Sequence, residues 1–272
     1  MGKHKIISYF DNLANMRKSI LLIPIMASLL AGCIGKIDID NRHEKITAKN
    51  TEFMLSFDDG PLPDKTERVL DILATLNAID GTPVKAGFFL LADAPDEFWQ
   101  RRYYYAPYEL WTQKGSVAKY PEIARRIKQA GHSIGNHTTH HSWLHWPWLD
   151  TPEAVLGEFT EWEAIYKLVL GVSNMRLFRP PYFIVSQNVR DTAKRLGYQV
   201  VMGESVDDAI PGMTVKVIKH KTQSILRAWG KPYPCLLIFH DTRPSTYLDL
   251  GEIVSNLQRQ GFRLVHFDPK RL

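Results

Sequence analysis

The chain has 272 residues, 44% of them hydrophobic and 23% charged, with a net charge of +5. It is long enough to bury a substantial core as one large domain or two small ones, and its composition is ordinary for a folded globular protein. Residues 1–32 carry four basic side chains (Lys3, Lys5, Arg17, Lys18) and one acidic one (Asp11), which leaves the remainder close to neutral, so nothing points to nucleic acid.

The N-terminus reads as a targeting segment. Arg17-Lys18 precedes an apolar run from Ile20 to Leu30, followed by Ala31-Gly32-Cys33. A positive region, a short apolar core and small residues make a secretory signal, and a run of eleven residues is too short to span a bilayer. Met16, directly before Arg17, offers an alternative start. Leu30-Ala31-Gly32-Cys33 resembles the lipobox of bacterial lipoproteins, which implies cleavage before Cys33, a lipid on its sulfur and an exported, membrane-anchored protein on the periplasmic side. Ile34 stands where an aspartate is linked with inner-membrane retention, which favours the outer membrane. Residues 34–50 are polar and irregular and suit a tether, so the expected organisation is a signal over 1–33, a tether over 34–50 and a catalytic domain over 51–272. With Cys33 acylated, Cys235 has no disulfide partner and reads as a small buried hydrophobe.

Short apolar runs then alternate with amphipathic stretches. The spacing predicts strands at 53–57, 86–92, 132–136, 176–178, 199–203, 236–239 and 262–267. Helical faces are predicted on Val69, Ile72, Leu73 and Leu76, and on Val155, Phe159, Trp162, Tyr166 and Val169. Further ones fall on Val189, Ala193 and Leu196, on Val215, Ile218, Ile225 and Trp229, and on Leu250, Ile253, Val254 and Leu257. Pro121 suits a helix start before Ile123 and Ile127, and Gly131, Gly197 and Gly261 sit at helix stops. Alternating strands and helices argue for an α/β domain with a mostly parallel sheet, open or closed into a barrel.

Polar residues gather at predicted strand ends: Asp58-Asp59, His137, Arg179, Asp208 and His240. In a parallel α/β barrel those ends form the face where chemistry occurs. Two adjacent carboxylates after a buried strand are costly unless a cation or proton compensates; a solvated Asp-Asp-Gly turn is the plain alternative. His137, His140 and His141 stand at i, i+3 and i+4, and on a helical turn either pair shares a face. Two imidazoles, one carboxylate and an open position make a catalytic zinc arrangement.

Ser56–Pro61, the His137/His141 pair, Arg179-Pro180-Pro181-Tyr182 and Leu237-Ile238-Phe239-His240 together resemble the ordered motifs of the polysaccharide deacetylase family, the NodB-homology group or carbohydrate esterase family 4. The resemblance spans about Phe53 to Phe267. It implies a distorted (β/α)7 barrel that removes N- or O-acetyl groups from an acetylated polysaccharide with one divalent metal, zinc being expected. By the same resemblance Asp59, His137 and His141 hold the metal, Asp58 is the general base, His240 the general acid, Arg179 orients Asp58, and Asp208 tunes His240, with Asp207 a competitor for that role. The Tyr182 N–H joins the metal at the oxyanion, and Leu237 lines the pocket for the acetyl methyl. Phe183 and Ala209 depart from the pattern, which has glycine and tryptophan there.

Two aromatic-rich segments, Phe98 to Trp111 and Trp143 to Trp148, are expected in loops on the active face, either as a platform for sugar rings or packed onto the barrel rim. His132, His145, His220 and His266 read as structural or solvated. Amino-sugar N-deacetylation is the leading function. An O-acetyl esterase on plant-type polysaccharide and a silent lipid-anchored glycan-binding module are the alternatives, and an iron oxygenase leaves the second Asp and the distal His without a purpose.

Overall fold

In the computed structural model of the protein, residues 51–110, 114–171, 175–210 and 212–272 are described. The expected signal, lipobox cysteine and tether, and Trp111 of the first aromatic segment, lie outside the described residues.

The elements run β1 (Glu52–Asp58), α1 (Thr66–Thr75), β2 (Gly87–Leu90), α2 (Phe98–Tyr104), α3 (Pro121–Gln129), β3 (Ser133–Asn136), α4 (Pro152–Leu170), β4 (Leu177–Phe178), α5 (Gln187–Arg195), β5 (Gln199–Val200), β6 (Glu204–Ser205), α6 (Val215–Ala228), β7 (Cys235–His240), α7 (Leu250–Arg259) and β8 (Arg263–Leu264). The sheet path is β5-β4-β3-β2-β1-β7-β6, and every paired strand is parallel. β8 pairs with the first two residues of β1, below the point where β1 meets β2. The sheet is therefore the curled, seven-strand arrangement of a distorted (β/α)7 barrel, with one extra short strand wedged in.

β1 shows how the sequence builds it. Successive side chains point to opposite faces of a strand. Phe53, Leu55 and Phe57 enter the main core between sheet and helices, with Val69 and Leu73 of α1, Trp162 and Tyr166 of α4, and Ile253, Val254 and Leu257 of α7. Met54 turns the other way, into the interior cluster with Phe89, Leu177, Val201, Leu236, Val265 and Phe267. Ser56 and Asp58 continue the Met54 face, so the inner surface changes from apolar to ionisable toward the strand's C-terminal end.

Two expectations change. The run 199–203 is not one strand: it breaks after Val200, and residues 201–203 carry the chain from one sheet edge to the other, where β6 pairs with β7. Close approach explains the break, because a Cβ on Gly203 would stand 2.6 Å from the Leu236 carbonyl oxygen. The segment expected as a loop after β2 contains α2, whose capping box is formed reciprocally by Glu97 and Gln100. Among the described residues no helix is long and apolar enough to cross a membrane.

Candidate active site

Asp59 leaves β1 at a φ of 78°, and His141 sits at 59° in a loop that also holds Thr138 at 70°. These are left-handed conformations that β-branched and bulky residues adopt at a cost of about 1–3 kcal/mol each. The histidine pair thus comes together on an irregular loop, not on the helical turn its spacing allowed. His137 Nε2 lies 3.6 Å and His141 Nε2 3.1 Å from Asp59 Oδ1, and all three residues are buried. Possible ligand atoms from the three fall within 4.8 Å of one another.

The hydrogen-bond inventory fixes which ring nitrogens carry protons. His137 Nδ1 lies 2.7 Å from the Arg179 carbonyl, which only accepts, so Nδ1 is the donor. The Tyr182 hydroxyl donates to Glu109 Oε2 at 2.8 Å and accepts from the Ala106 N–H at 3.1 Å. Its second lone pair faces His141 Nδ1 at 3.0 Å, which makes that nitrogen a donor too. Both Nε2 lone pairs therefore face Asp59 Oδ1, a buried oxygen without a hydrogen-bond partner. Burial holds His137 down at about 4, so its imidazole is neutral at ordinary pH. Burial alone would raise the Asp59 carboxyl, but the Lys114 ammonium leads the opposing charges that hold it well below its ordinary value. Three converging donor atoms, two imidazole nitrogens and one carboxylate oxygen, fit a divalent cation.

Asp58 lies beside this cluster on the interior face. Arg179, fully buried just past β4, donates through Nη1 to Asp58 Oδ1 at 2.7 Å and to Ser56 Oγ at 2.9 Å, and through Nε to the Val201 carbonyl at 3.1 Å. Its guanidinium also stands 3.9 Å over the Phe89 ring. His240, at the end of β7, is the register partner of Asp58. Asp208 receives the His240 N–H and the Thr246 hydroxyl on Oδ2, at 2.7 and 2.6 Å, and meets His240 Nδ1 with Oδ1 at 2.7 Å. Burial opposes protonation of His240, yet the Asp208 carboxylate, with Asp59 and Asp58 behind it, raises the imidazole to about 9. Asp207 turns away at a φ of 63° to pair with Lys221, so Asp208 is the one that meets the histidine.

A cavity of about 290 Å³ opens above these groups, lined by Asp58, His137, His141, Tyr182, His240 and Arg243 among others. Phe183 lies at a φ of 58°, the region glycine supplies without strain, and its ring borders the cavity. Ala209 is on the wall, with Ile210 beside it as the apolar surface. Leu237 is elsewhere: it is fully buried in the core between sheet and helices and does not line the cavity. Strand alternation explains this, since Ile238, in register with Ser56, is the residue on the inner face.

Several residues of the site carried no sequence signal. Lys114, buried, binds Asp59 Oδ2 and lies 3.4 Å from Glu109 Oε2. Glu158 of α4 accepts the Thr139 and His140 N–H groups at 2.8 and 3.1 Å and the Ser142 hydroxyl at 2.6 Å, and meets His140 Nδ1 at 2.9 Å. Asp241 accepts from Thr66 Oγ1 at 2.6 Å, and burial lifts its carboxyl to about 7. The two aromatic segments meet where Tyr103 borders Trp148; Trp146 stacks on Trp148 within the second, Tyr104 stacks on His140, and Trp99 is left 68% exposed. Of the other histidines, His132 is buried and accepts the Ala86 N–H at 3.0 Å, while His266 lies 3.0 Å from Asp80.

Comparison with known proteins places this geometry. Residues 45–201 match the family described as polysaccharide deacetylase. A chitin deacetylase from Pestalotiopsis sp is 30% identical over 253 residues, covering 89% of this chain and 73% of the relative. A peptidoglycan-N-acetylglucosamine deacetylase from Bacillus cereus is 26% identical over 230 residues, covering 82% and 86%. Among solved structures, a family 4 carbohydrate esterase from Streptomyces lividans superposes with a TM-score of 0.59 at 18% identity, over 81% of this chain and 94% of that one. The peptidoglycan deacetylase PdaC from Bacillus subtilis gives 0.58 at 23% identity, over 81% and 90%; both likenesses concern the fold. The chain belongs to the polysaccharide deacetylase family.

Proposed function

We propose that this protein is a metal-dependent hydrolase that removes N-acetyl groups from an amino-sugar polysaccharide such as peptidoglycan, chitin or poly-N-acetylglucosamine. The observation that carries the reading is the buried, unpartnered Asp59 Oδ1 facing two imidazole lone pairs, with Asp58 and His240 bordering the same cavity. The matched relatives are named for chitin, peptidoglycan and chitooligosaccharide, which are amino-sugar polymers or oligomers, and that supports nitrogen over oxygen as the leaving atom.

Asp59, His137 and His141 would hold the cation, and two nitrogens with one carboxylate suit zinc. When bound it supplies Lewis acidity toward water and the acetyl carbonyl. The rest falls to the protein's own groups. Arg179 occupies one oxygen of Asp58, leaving the other to take the proton of the attacking water. Pro180 and Phe183 frame the entry, and the Tyr182 N–H is assigned to the developing oxyanion. Asp208 occupies His240 Nδ1, so the proton for the departing amine comes from Nε2. The C–N bond breaks, and the products are acetate and a free amino sugar. Leu237 is not available to the acetyl methyl, and the apolar residues on the cavity wall are Ala209 and Ile210. Residues 51–272 form the catalytic domain in this reading, and the lipobox sequence supports a lipid on Cys33 that tethers it to the periplasmic side of a bacterial membrane, the outer one favoured.

The test is acetate release from N-acetylated chitooligosaccharide, peptidoglycan and acetylated xylan, with zinc content measured on the same preparation. Stoichiometric zinc and release from the amino-sugar substrates are expected. Release from xylan alone, or a protein that binds no divalent metal, would overturn the reading.

A further inference from the structure

The segment that carries α2 comes back to the site and completes a closed ring around two of the three metal-ligand candidates. Asp59 Oδ2 binds the Lys114 ammonium, which lies 3.4 Å from Glu109 Oε2. That carboxylate oxygen accepts the Tyr182 hydroxyl at 2.8 Å, Tyr182 meets His141 Nδ1 at 3.0 Å, and His141 Nε2 returns to Asp59 Oδ1 at 3.1 Å. Lys114 is 5% exposed, so its charge is neutralised by these carboxylates and not by water. The backbone is fitted to this purpose. A Cβ on Gly115 would stand 1.6 Å from the Pro61 carbonyl oxygen, and the Gly115 N–H donates to the Asp59 carbonyl at 3.2 Å. Only glycine lets the chain run this close to the Asp59 turn and deliver the side chain before it.

We propose that Lys114 and Glu109 are positioning residues of the metal centre: Lys114 ties up one oxygen of Asp59 so that only Oδ1 is offered to the ion, and Glu109 sets the orientation and proton placement of His141 through the Tyr182 hydroxyl. The proposal rests on the metal-site reading above. Its physical content is that a carboxylate free at both oxygens can chelate through both and raise the coordination number, whereas one held by a buried ammonium presents a single oxygen. Partners behind metal ligands of this kind typically change affinity by about 10- to 100-fold when removed. Affinity alone does not separate this from simple charge, because removing a cation beside a dication also strengthens its binding. The coordination number does, since only a carboxylate released at Oδ2 raises it.

The experiment uses the full chain and the metal alone as probe. Zinc affinity is measured by competition with a chromophoric chelator, and the visible spectrum of the cobalt(II) form reports coordination number, for the wild type, Lys114→Met, Glu109→Ala and Glu109→Gln. Lys114→Met is expected to lose cobalt band intensity as coordination number rises, with zinc bound at least as tightly as in the wild type. Glu109→Ala should weaken zinc about 10-fold or more, and Glu109→Gln, which keeps an acceptor for Tyr182, should recover much of that loss. An unchanged cobalt spectrum in a folded Lys114→Met would overturn the proposal, whatever its zinc affinity. Should Lys114→Met not fold, equal zinc affinity in Glu109→Ala and wild type overturns it instead. A wild-type protein that binds no zinc sinks the metal-site reading itself, which is a separate result.

Discussion

Arg179 Nη1 donates to Asp58 Oδ1 at 2.7 Å in a site where both side chains are sealed from solvent. A buried pair of this kind is weak evidence for stability, because desolvation consumes most of the Coulomb gain. Its value here is directional: one oxygen of the carboxylate is fixed, and the other is left for a proton. Asp58→Asn keeps an acceptor for Arg179 while removing the base. Acetate release should fall by about 10²–10⁴-fold with zinc content unchanged. Full turnover in the variant, or loss of zinc along with activity, would remove Asp58 from the role of base.

Asp208 and His240 predict a pH profile. The imidazole, raised to about 9, stays protonated through neutrality and can serve as the acid. The alkaline limb of kcat/KM should therefore lie above the ordinary imidazole value of about 6.5. Asp208→Asn removes the charge responsible, and its limb should move to lower pH by at least about one unit. The sign for stability follows from the same shift. A group whose folded value is raised stabilises fully below its unfolded value and loses that contribution as pH climbs toward about 9. Denaturant titrations of the wild type should show falling stability over that window, with a shallower slope in Asp208→Asn. Superimposable profiles for the two proteins would refute the coupling.

Glu158 predicts a link between a helix and the metal loop. Its carboxylate takes two backbone N–H groups and the Ser142 hydroxyl from the stretch that runs from His137 to Ser142. That stretch holds Thr138 and His141 in left-handed conformations, which persist only where the surroundings over-determine them. Glu158→Ala strands those donors in a buried site at about 1–3 kcal/mol each. We expect a loss of about 3 kcal/mol or more in denaturant unfolding and weaker zinc binding, with Glu158→Gln retaining part of both. Unchanged zinc affinity in a folded Glu158→Ala would show that the loop is held by other contacts.

What the sequence disclosed follows from how local each signal was. Asp58, Asp59, His137, Arg179 and His240 were legible because alternating strands and helices locate strand ends, and strand ends share one face. Leu237 falls in the core because strand side chains alternate: His240 and Ile238, two residues apart, share the inner face, and Leu237 between Leu236 and Ile238 takes the other. The break after Val200 was invisible because an apolar run reads as one strand whether or not its edge is paired. Lys114 and Glu109 lay in an aromatic-rich stretch with no helical or alternating pattern to orient them, and Glu158 sat unmarked among the other glutamates of α4. Their roles depend on contacts across 16 to 73 positions of sequence, which periodicity does not encode.

Gly115 offers the sharpest structural prediction. Its neighbour across the gap is backbone, the Pro61 carbonyl, and not the flexible end of a side chain, so an added methyl cannot be accommodated by a rotamer change. Gly115→Ala must displace either the Asp59–Leu62 turn or the backbone at Lys114 and Gly115. The first moves a metal-ligand candidate; the second withdraws the Gly115 N–H from the Asp59 carbonyl and Lys114 from Asp59 Oδ2. Overpacking of this severity costs about 1–3 kcal/mol or more, and the lost buried pair adds to it. The expected outcome is lowered thermal stability together with weakened zinc binding, while Gly157→Ala, on α4 with open space where its Cβ would go, is neutral or mildly stabilising. If Gly115→Ala melts and binds zinc as the wild type does, the close approach of this segment to the Asp59 turn is not what holds the site together.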